Sequence, residues 1–327
     1  TGLIILLAAT FVTALCAGQY SVSVPEVTKI LASRFVNVTK TWSNTAEGVV
    51  FTLRLPRIIG AVLVGSALSL SGAAYQGVFK NPLVAPDLLG VSSGACVGAS
   101  VAILLHLNSF GVQAMAFVAG ILAVGLTLFI PRLIKNTNMT MLVLSGIIVK
   151  GIMDSVMGII KYVADPETEL QSITYWQLGS LTKVLPKDLF TVGPVIVAAS
   201  VIIFLLRWRI NILSLGDREA KTLGVSVTVV RNFIIICATL LTASAVCISG
   251  TIGWIGLVIP HFARMLTGPD NMKVIPASIL MGAIFMVVID TLARALTSVE
   301  LPLSILTGII GAPFYIIILA RQRMKLS

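Results

Sequence analysis

Ile58-Ile-Gly-Ala-Val-Leu-Val-Gly-Ser-Ala-Leu-Ser-Leu-Ser-Gly-Ala-Ala-Tyr-Gln-Gly-Val-Phe79 runs for 22 residues without one charged side chain. As an α-helix it would be about 33 Å long, enough to cross the roughly 30 Å of hydrocarbon in a bilayer. Similar runs stand near 2–17, 89–107, 112–134, 141–163, 189–206, 229–248, 252–267, 274–297 and 303–320, so ten spans are expected. The run at 252–267 is short and holds Pro260, and is expected to be kinked or only partly spanning. The chain opens directly on the apolar stretch Gly2–Ala17, with no initiator Met and no basic leader, and that stretch is read as the first span.

Composition agrees. Of 327 residues, 57% are hydrophobic and only 11% charged, with a mean hydropathy of +1.02. A water-soluble fold lacks the polar groups to cover so much apolar surface, so the bilayer is the solvent. The net charge of +10 comes from basic residues in short connections, which reads as membrane orientation and not nucleic-acid binding. With both termini placed in the cytoplasm, thirteen Lys and Arg fall on inside connections and nine outside. The expected fold is all-α: one polytopic membrane domain over 1–327, with no soluble domain and no inverted repeat.

Chemistry on the chain itself is sparse. His106 and His261 are the only histidines and lack metal-ligand spacing, and Cys16, Cys96, Cys237 and Cys247 lie unpaired in apolar runs. Neither H-E-x-x-H nor the phosphate loop G-x-x-x-x-G-K-[ST] occurs, and no catalytic residue and no resident cofactor or metal is expected. Any ATP and Mg would sit on other polypeptides.

Several polar features need a reason. Small residues Gly65, Ser69 and Gly72, with Gln76, recur at helix-contact spacing and read as close helix packing. Gln19–Arg57 is a polar connection with Trp42 as an interfacial anchor, and Asn81–Val91 is a rigid turn fixed by Pro82 and Pro86, or a contact surface for a soluble partner. Lys150, Asp154, Met157 and Lys161 share one helix face inside the fifth run. Charge there is costly and faces either a cavity or a partner, so the stripe reads as pathway lining or as a self-satisfied pair. Met139 and Thr140, just before that run, are candidate cytoplasmic gate residues or plain polar loop.

The longest inside connection contains Leu213-Ser-Leu-Gly-Asp-Arg-Glu-Ala-Lys-Thr-Leu-Gly-Val-Ser-Val227. Asp217 to Leu223 is helix-compatible, with Gly216 and Gly224 as breakers and Asp217 and Glu219 favouring the first turn. A short helix on the membrane surface suits a lever that fits a groove on a soluble partner; the alternative is an ordinary amphipathic linker.

Taken together these residues resemble the FecCD-type permease family of ABC importers. The resemblance is carried by Leu53-Arg-Leu-Pro-Arg57, by Gly65 to Gln76, by Asn81-Pro-Leu-Val-Ala-Pro-Asp-Leu-Leu-Gly-Val91 and by Glu219-Ala220 with Gly224. It continues through Gly253-Trp-Ile-Gly-Leu-Val-Ile-Pro-His-Phe-Ala-Arg264, Asp290-Thr-Leu-Ala-Arg294 and Glu300-Leu-Pro-Leu303 leading to Gly311-Ala-Pro-Phe314. It implies a ten-helix permease in the bacterial inner membrane, paired with a second permease subunit, expected to be a second copy. Two ABC ATPases would couple through Asp217, Arg218, Glu219, Ala220, Leu223 and Gly224, and a substrate-binding protein would deliver a metal chelate, cobalamin, haem or an oxyanion. Basic residues at the positions of Arg54, Arg57 and Arg294 would face glutamates on that binding protein; the alternative for Arg294 is pairing with Asp290 one turn back. The resemblance also implies that the fifth and tenth helices line the pathway, but it carries no role onto Lys150 or Asp154. The rival readings are an ion-driven transporter using Asp154 and Asp290, and an intramembrane enzyme, for which no residue set assembles.

Overall fold

The computed structural model describes residues 1–136, 138–297 and 299–323, with 317–323 as backbone alone. The expected inside charges Arg321, Arg323 and Lys325 therefore lie outside the described side chains.

Among the described residues there are ten apolar helices. Six are long and apolar enough to cross a membrane: α4 (Leu55–Phe79), α6 (Ser109–Leu133), α7 (Met139–Val163), α9 (Pro186–Leu215), α11 (Val227–Ser249) and α13 (Asn271–Ala295). Four more are shorter in their apolar described part: α1 (Gly2–Cys16), α5 (Val91–Leu104), α12 (Ile255–Thr267) and α14 (Leu303–Arg323). The remaining helices lie in connections: α2 (Val24–Ala32), α3 (Asn44–Gly48), α8 (Glu169–Leu178) and α10 (Asp217–Thr222). Among the described residues there is no strand.

The centre is α4. Some 83% of its apolar stretch and 78% of that of α11 are buried, against 17% for α9 and 28% for α7. Lipid offers no hydrophobic drive between helices, so contact here depends on small residues and hydrogen bonds. Gly65 meets the Gly282 carbonyl of α13, and Gly72 meets the Gly256 carbonyl of α12, so closely that a Cβ at either would overlap the oxygen. Ser69 Oγ donates to Ser278 O at 2.8 Å, while Tyr75 shares a hydrogen bond with Thr239 of α11 at 3.0 Å. Gln76 does more than pack: its amide reaches the carbonyls of Val84, Gly256 and Leu257 and accepts from Arg264. Because a backbone carbonyl cannot retreat, Gly72→Leu is expected to cost at least the 1–3 kcal/mol typical of overpacking. A lower thermal midpoint of the purified chain in detergent is the measurement.

Two short helices begin part-way across. After α4 the chain turns at Lys80 (φ 52°) and runs inward through the 3₁₀ turn Pro86–Leu89 to Gly90 (φ 84°). Leu88 packs against Gly146, and Gly90 against Val149 and Lys150, the middle of the 25-residue α7. α5 therefore starts near the membrane midplane, and its 14 residues cover only about 21 Å. α5 falls inside the expected run 89–107 but is too short for a full crossing, and of the two readings of Asn81–Val91 burial supports the rigid turn: of these residues only Asn81, Pro82 and Leu83 are exposed. α12 likewise starts beside Pro86, after the left-handed turns at Gly250 and Trp254, as a partial span. Trp42 is also corrected: it is 7% exposed, with Nε1 donating to Glu47, and is core rather than an interfacial anchor.

Candidate functional site

Three features carry the polar chemistry: an arginine cluster at the Leu55 end of α4, a surface helix at its Phe79 end, and a cleft between them.

α1 ends at Cys16, and its last carbonyls have no helical partners. Two arginines take them. Arg294, in the last turn of α13, donates to Ala17 O at 2.8 Å and to Ala14 O, while Arg54 donates to Leu15 O at 2.7 Å, Cys16 O at 3.2 Å and Tyr20 O. Cations at a helix C-terminus are also favoured by its dipole. Gly18 (φ 144°) lies against both guanidiniums; a Cβ there would come within 2.7 Å of Arg54 Nη2. Arg54 reaches this place because the π-helical turn Val49–Arg54 re-aims the chain entering α4.

Arg57 completes the cluster. Its Nε donates to both oxygens of Asp290, at 2.8 and 3.1 Å, and its Nη1 to Glu300 Oε1 at 2.8 Å. Asp290 also lies 3.8 Å from Arg294 Nε, the one-turn pair anticipated from spacing. Three guanidiniums against two carboxylates leave one positive charge. Arg54, Arg57 and Arg294 are only 6%, 8% and 7% exposed, so in the single chain they tie α1, α4 and α13 together instead of standing free. Asp290, held by two arginines, is not the unpaired midplane acid that the ion-driven alternative needs. Glu300, absent from the expected site residues, lies between α13 and α14. Burial pushes its carboxyl up, but the hydrogen bonds from Arg57 and Thr182 outweigh that and hold it below its ordinary value.

At the other end of α4, α10 forms as expected, with Gly216 (φ 151°) before it and Gly224 (φ 77°) after it. Asp217 Oδ1 accepts from Arg231 of α11 at 2.7 Å and lies 3.6 Å from Lys80 Nζ at the end of α4. Arg231 holds the Asp217 carboxyl below the usual carboxylate range. Ala220 is fully buried and seats the helix, leaving Arg218, Glu219, Lys221 and Leu223 exposed. The helix is thus fixed from below and open above. Met139 and Thr140 fall in the first turn of α7, capped by Asn138 accepting from Met141 N at 2.8 Å.

The cleft, of about 310 Å³, opens where the two partial spans begin. Its walls include Asp87, Asp154, Cys96, Gln177, Thr251 and Trp254, and among the described residues no Lys, Arg or His lines it. The expected stripe on α7 divides there. Asp154 and Met157 both line the cleft, Met157 with its Sδ accepting from Ser100 Oγ at 3.5 Å, while Lys150 is exposed and Lys161 is half-buried near Cys96. Among the described residues, neither Lys150 nor Asp154 makes a salt bridge, so the self-satisfied pair does not form.

With this geometry in hand, the likeness to known proteins is informative. The chain is 38% identical over 315 residues to a Haemophilus influenzae molybdate import system permease, covering 96% of this chain and 93% of that one. It is 37% identical over 283 residues to a Halobacterium salinarum cobalamin import system permease, covering 86% and 76%. A solved structure described as an inward-facing conformation of a metal-chelate type ABC transporter superposes with a TM-score of 0.87 at 36% identity, covering 98% of both chains. The match to the family runs over residues 6–321, and the chain belongs to the FecCD transport family.

Proposed function

We propose that this chain is the membrane-spanning permease subunit of an ABC importer that works by alternating access, with a second copy of itself beside it. Two ABC ATPases seat against α10 on the cytoplasmic side, where both termini also lie, and a substrate-binding protein docks on the arginine face. Membership in an import family supports the transport role. The observation that carries the coupling is α10 itself. Arg218, Glu219 and Leu223 are presented to a partner, while Asp217 ties the same helix to the ends of α4 and α11. Movement of a partner seated there is passed to the two most buried spans. No covalent step is required of this chain, and ATP with Mg belongs to the ATPases.

For the cargo, the relatives' names offer molybdate, cobalamin and metal chelates. The acidic midplane cleft favours a chelate over a free oxyanion, because bringing a dianion beside Asp87 and Asp154 costs more as the dielectric falls. In proteoliposomes holding the permease with its ATPase and binding protein, a ferric chelate or cobalamin is expected to accumulate only with ATP, and molybdate to remain at background. ATP-dependent molybdate uptake would overturn the cargo reading, and uptake driven by an ion gradient alone would overturn the whole proposal.

A further inference from the structure

Glu300 stands at the head of a hydrogen-bonded chain that begins at the arginine face and ends in the wall of the midplane cleft. One carboxylate oxygen accepts from Arg57 Nη1 at 2.8 Å and the other from Thr182 Oγ1 at 2.5 Å. Thr182 Oγ1 accepts in turn from Ser180 Oγ at 2.8 Å, and Ser180 N donates to Ser249 O, the last residue of α11, at 2.8 Å. The same turn receives Leu303 N on Gly179 O at 3.0 Å, which fixes the start of α14. Just before the turn, Gln177 O accepts from Thr251 Oγ1 at 2.5 Å, and both Gln177 and Thr251 line the cleft.

The two acids on Arg57 differ in what it takes to displace them. Asp290 is 1% exposed and grips Nε through both oxygens, whereas the Glu300 side chain is 36% exposed and holds only Nη1. A carboxylate arriving from outside meets Glu300 first. The exchange replaces one charged hydrogen bond by another, so Arg57 is never left unpaired and Glu300 is released into water. A near-balanced exchange of this kind is what lets a partner shift an equilibrium with modest differential affinity. Exposed Lys183 and Lys187 beside the turn add positive charge for an acidic arrival.

We propose that Glu300 is a positioning residue: it holds Arg57 with one oxygen and the 179–182 turn with the other, and a docked partner's carboxylate takes over Arg57 and frees that turn at the cleft wall. This rests on the reading that an acidic binding protein docks on the arginine face.

The test uses the complete importer in nanodiscs, comparing Glu300→Gln, Thr182→Val and Arg57→Ala. Glu300→Gln removes the competing charge, so cargo-free binding protein is expected to dock at least threefold more tightly. Thr182→Val cuts the link without altering charge, so docking affinity stays within twofold while the stimulation of ATP hydrolysis by binding protein falls at least threefold. A merely structural Glu300 would not tighten docking when neutralised. If Arg57→Ala weakens docking but Glu300→Gln and Thr182→Val match wild type in affinity and stimulation, the docking reading stands and this inference is overturned. If Arg57→Ala leaves docking unchanged, the docking reading falls and takes the inference with it. Thr182→Val, the loss of one exposed hydroxyl, decides the matter even if Glu300→Gln fails to fold.

Discussion

Asp290→Ala is expected to destabilise the chain by about 3–5 kcal/mol, the usual effect of removing one partner from a buried ion pair. Asp290 is 1% exposed and serves two guanidiniums: Arg57 through bonds of 2.8 and 3.1 Å, and Arg294 at 3.8 Å. Without it, Arg57 retains Glu300 and Arg294 retains the α1 carbonyls, but the three cations of the cluster keep one counter-charge instead of two. Replacing Arg57 and Asp290 together by leucine is expected to recover part of the loss, because that removes the uncompensated charge along with the pair. Thermal midpoints of the single and double variants in one detergent check both statements; an additive double variant would argue against coupling.

The second large effect concerns α10. Glu219→Arg with Leu223→Asp is expected to lower ATP-driven uptake by more than tenfold while leaving the fold nearly untouched. Both side chains are exposed, and among the described residues neither makes a long-range hydrogen bond or salt bridge, so the stability change is expected within about 0.5 kcal/mol. Parallel measurement of uptake in proteoliposomes and of the thermal midpoint separates a lost partner from a lost fold. If uptake falls only in proportion to folded protein, α10 is a linker and not a lever.

Much of this architecture is legible in the sequence because the bilayer imposes a simple rule: each crossing must be a long uncharged helix. The ten apolar runs follow from that rule, as does the short helix between Gly216 and Gly224, whose breakers are local. What escapes is what depends on depth and on distant pairing. Apolar composition cannot distinguish a full span from a chain that re-enters and starts its helix at the midplane, so α5 begins two residues after the expected run and ends three before it, and the burial of its approach through Pro86–Gly90 is not legible in the sequence. The stripe on α7 shows the opposite failure. Lys150 and Asp154 have the spacing of a pair, yet both are exposed and only Asp154 lines the cleft, because neighbouring elements, not spacing, decide what each meets.

The arginines illustrate both cases. Asp290 and Arg294 are one turn apart, and their contact is readable from the sequence. Arg57 and Asp290 are separated by 233 positions, and nothing local announces that Arg57 is held from inside the chain. The capping of α1 by Arg54 and Arg294 is equally hidden, although a helix ending at Ala17-Gly18 without polar side chains to close it was a signal that some other group must supply the donors. Glu300 was visible as part of a motif, but its role depends on Thr182, which lies 118 residues away.

The central claim is that force enters this bundle from a separate ATPase through the outward face of α10. The most direct measurement places a photo-crosslinking side chain at Leu223 and, as a control, at Thr182 on the arginine face, in membranes containing the assembled importer. The account predicts that the probe at Leu223 crosslinks to the ATPase subunit and that the probe at Thr182 does not. Crosslinking of the ATPase from Thr182, or none from Leu223 in a complex that still pumps, would contradict it.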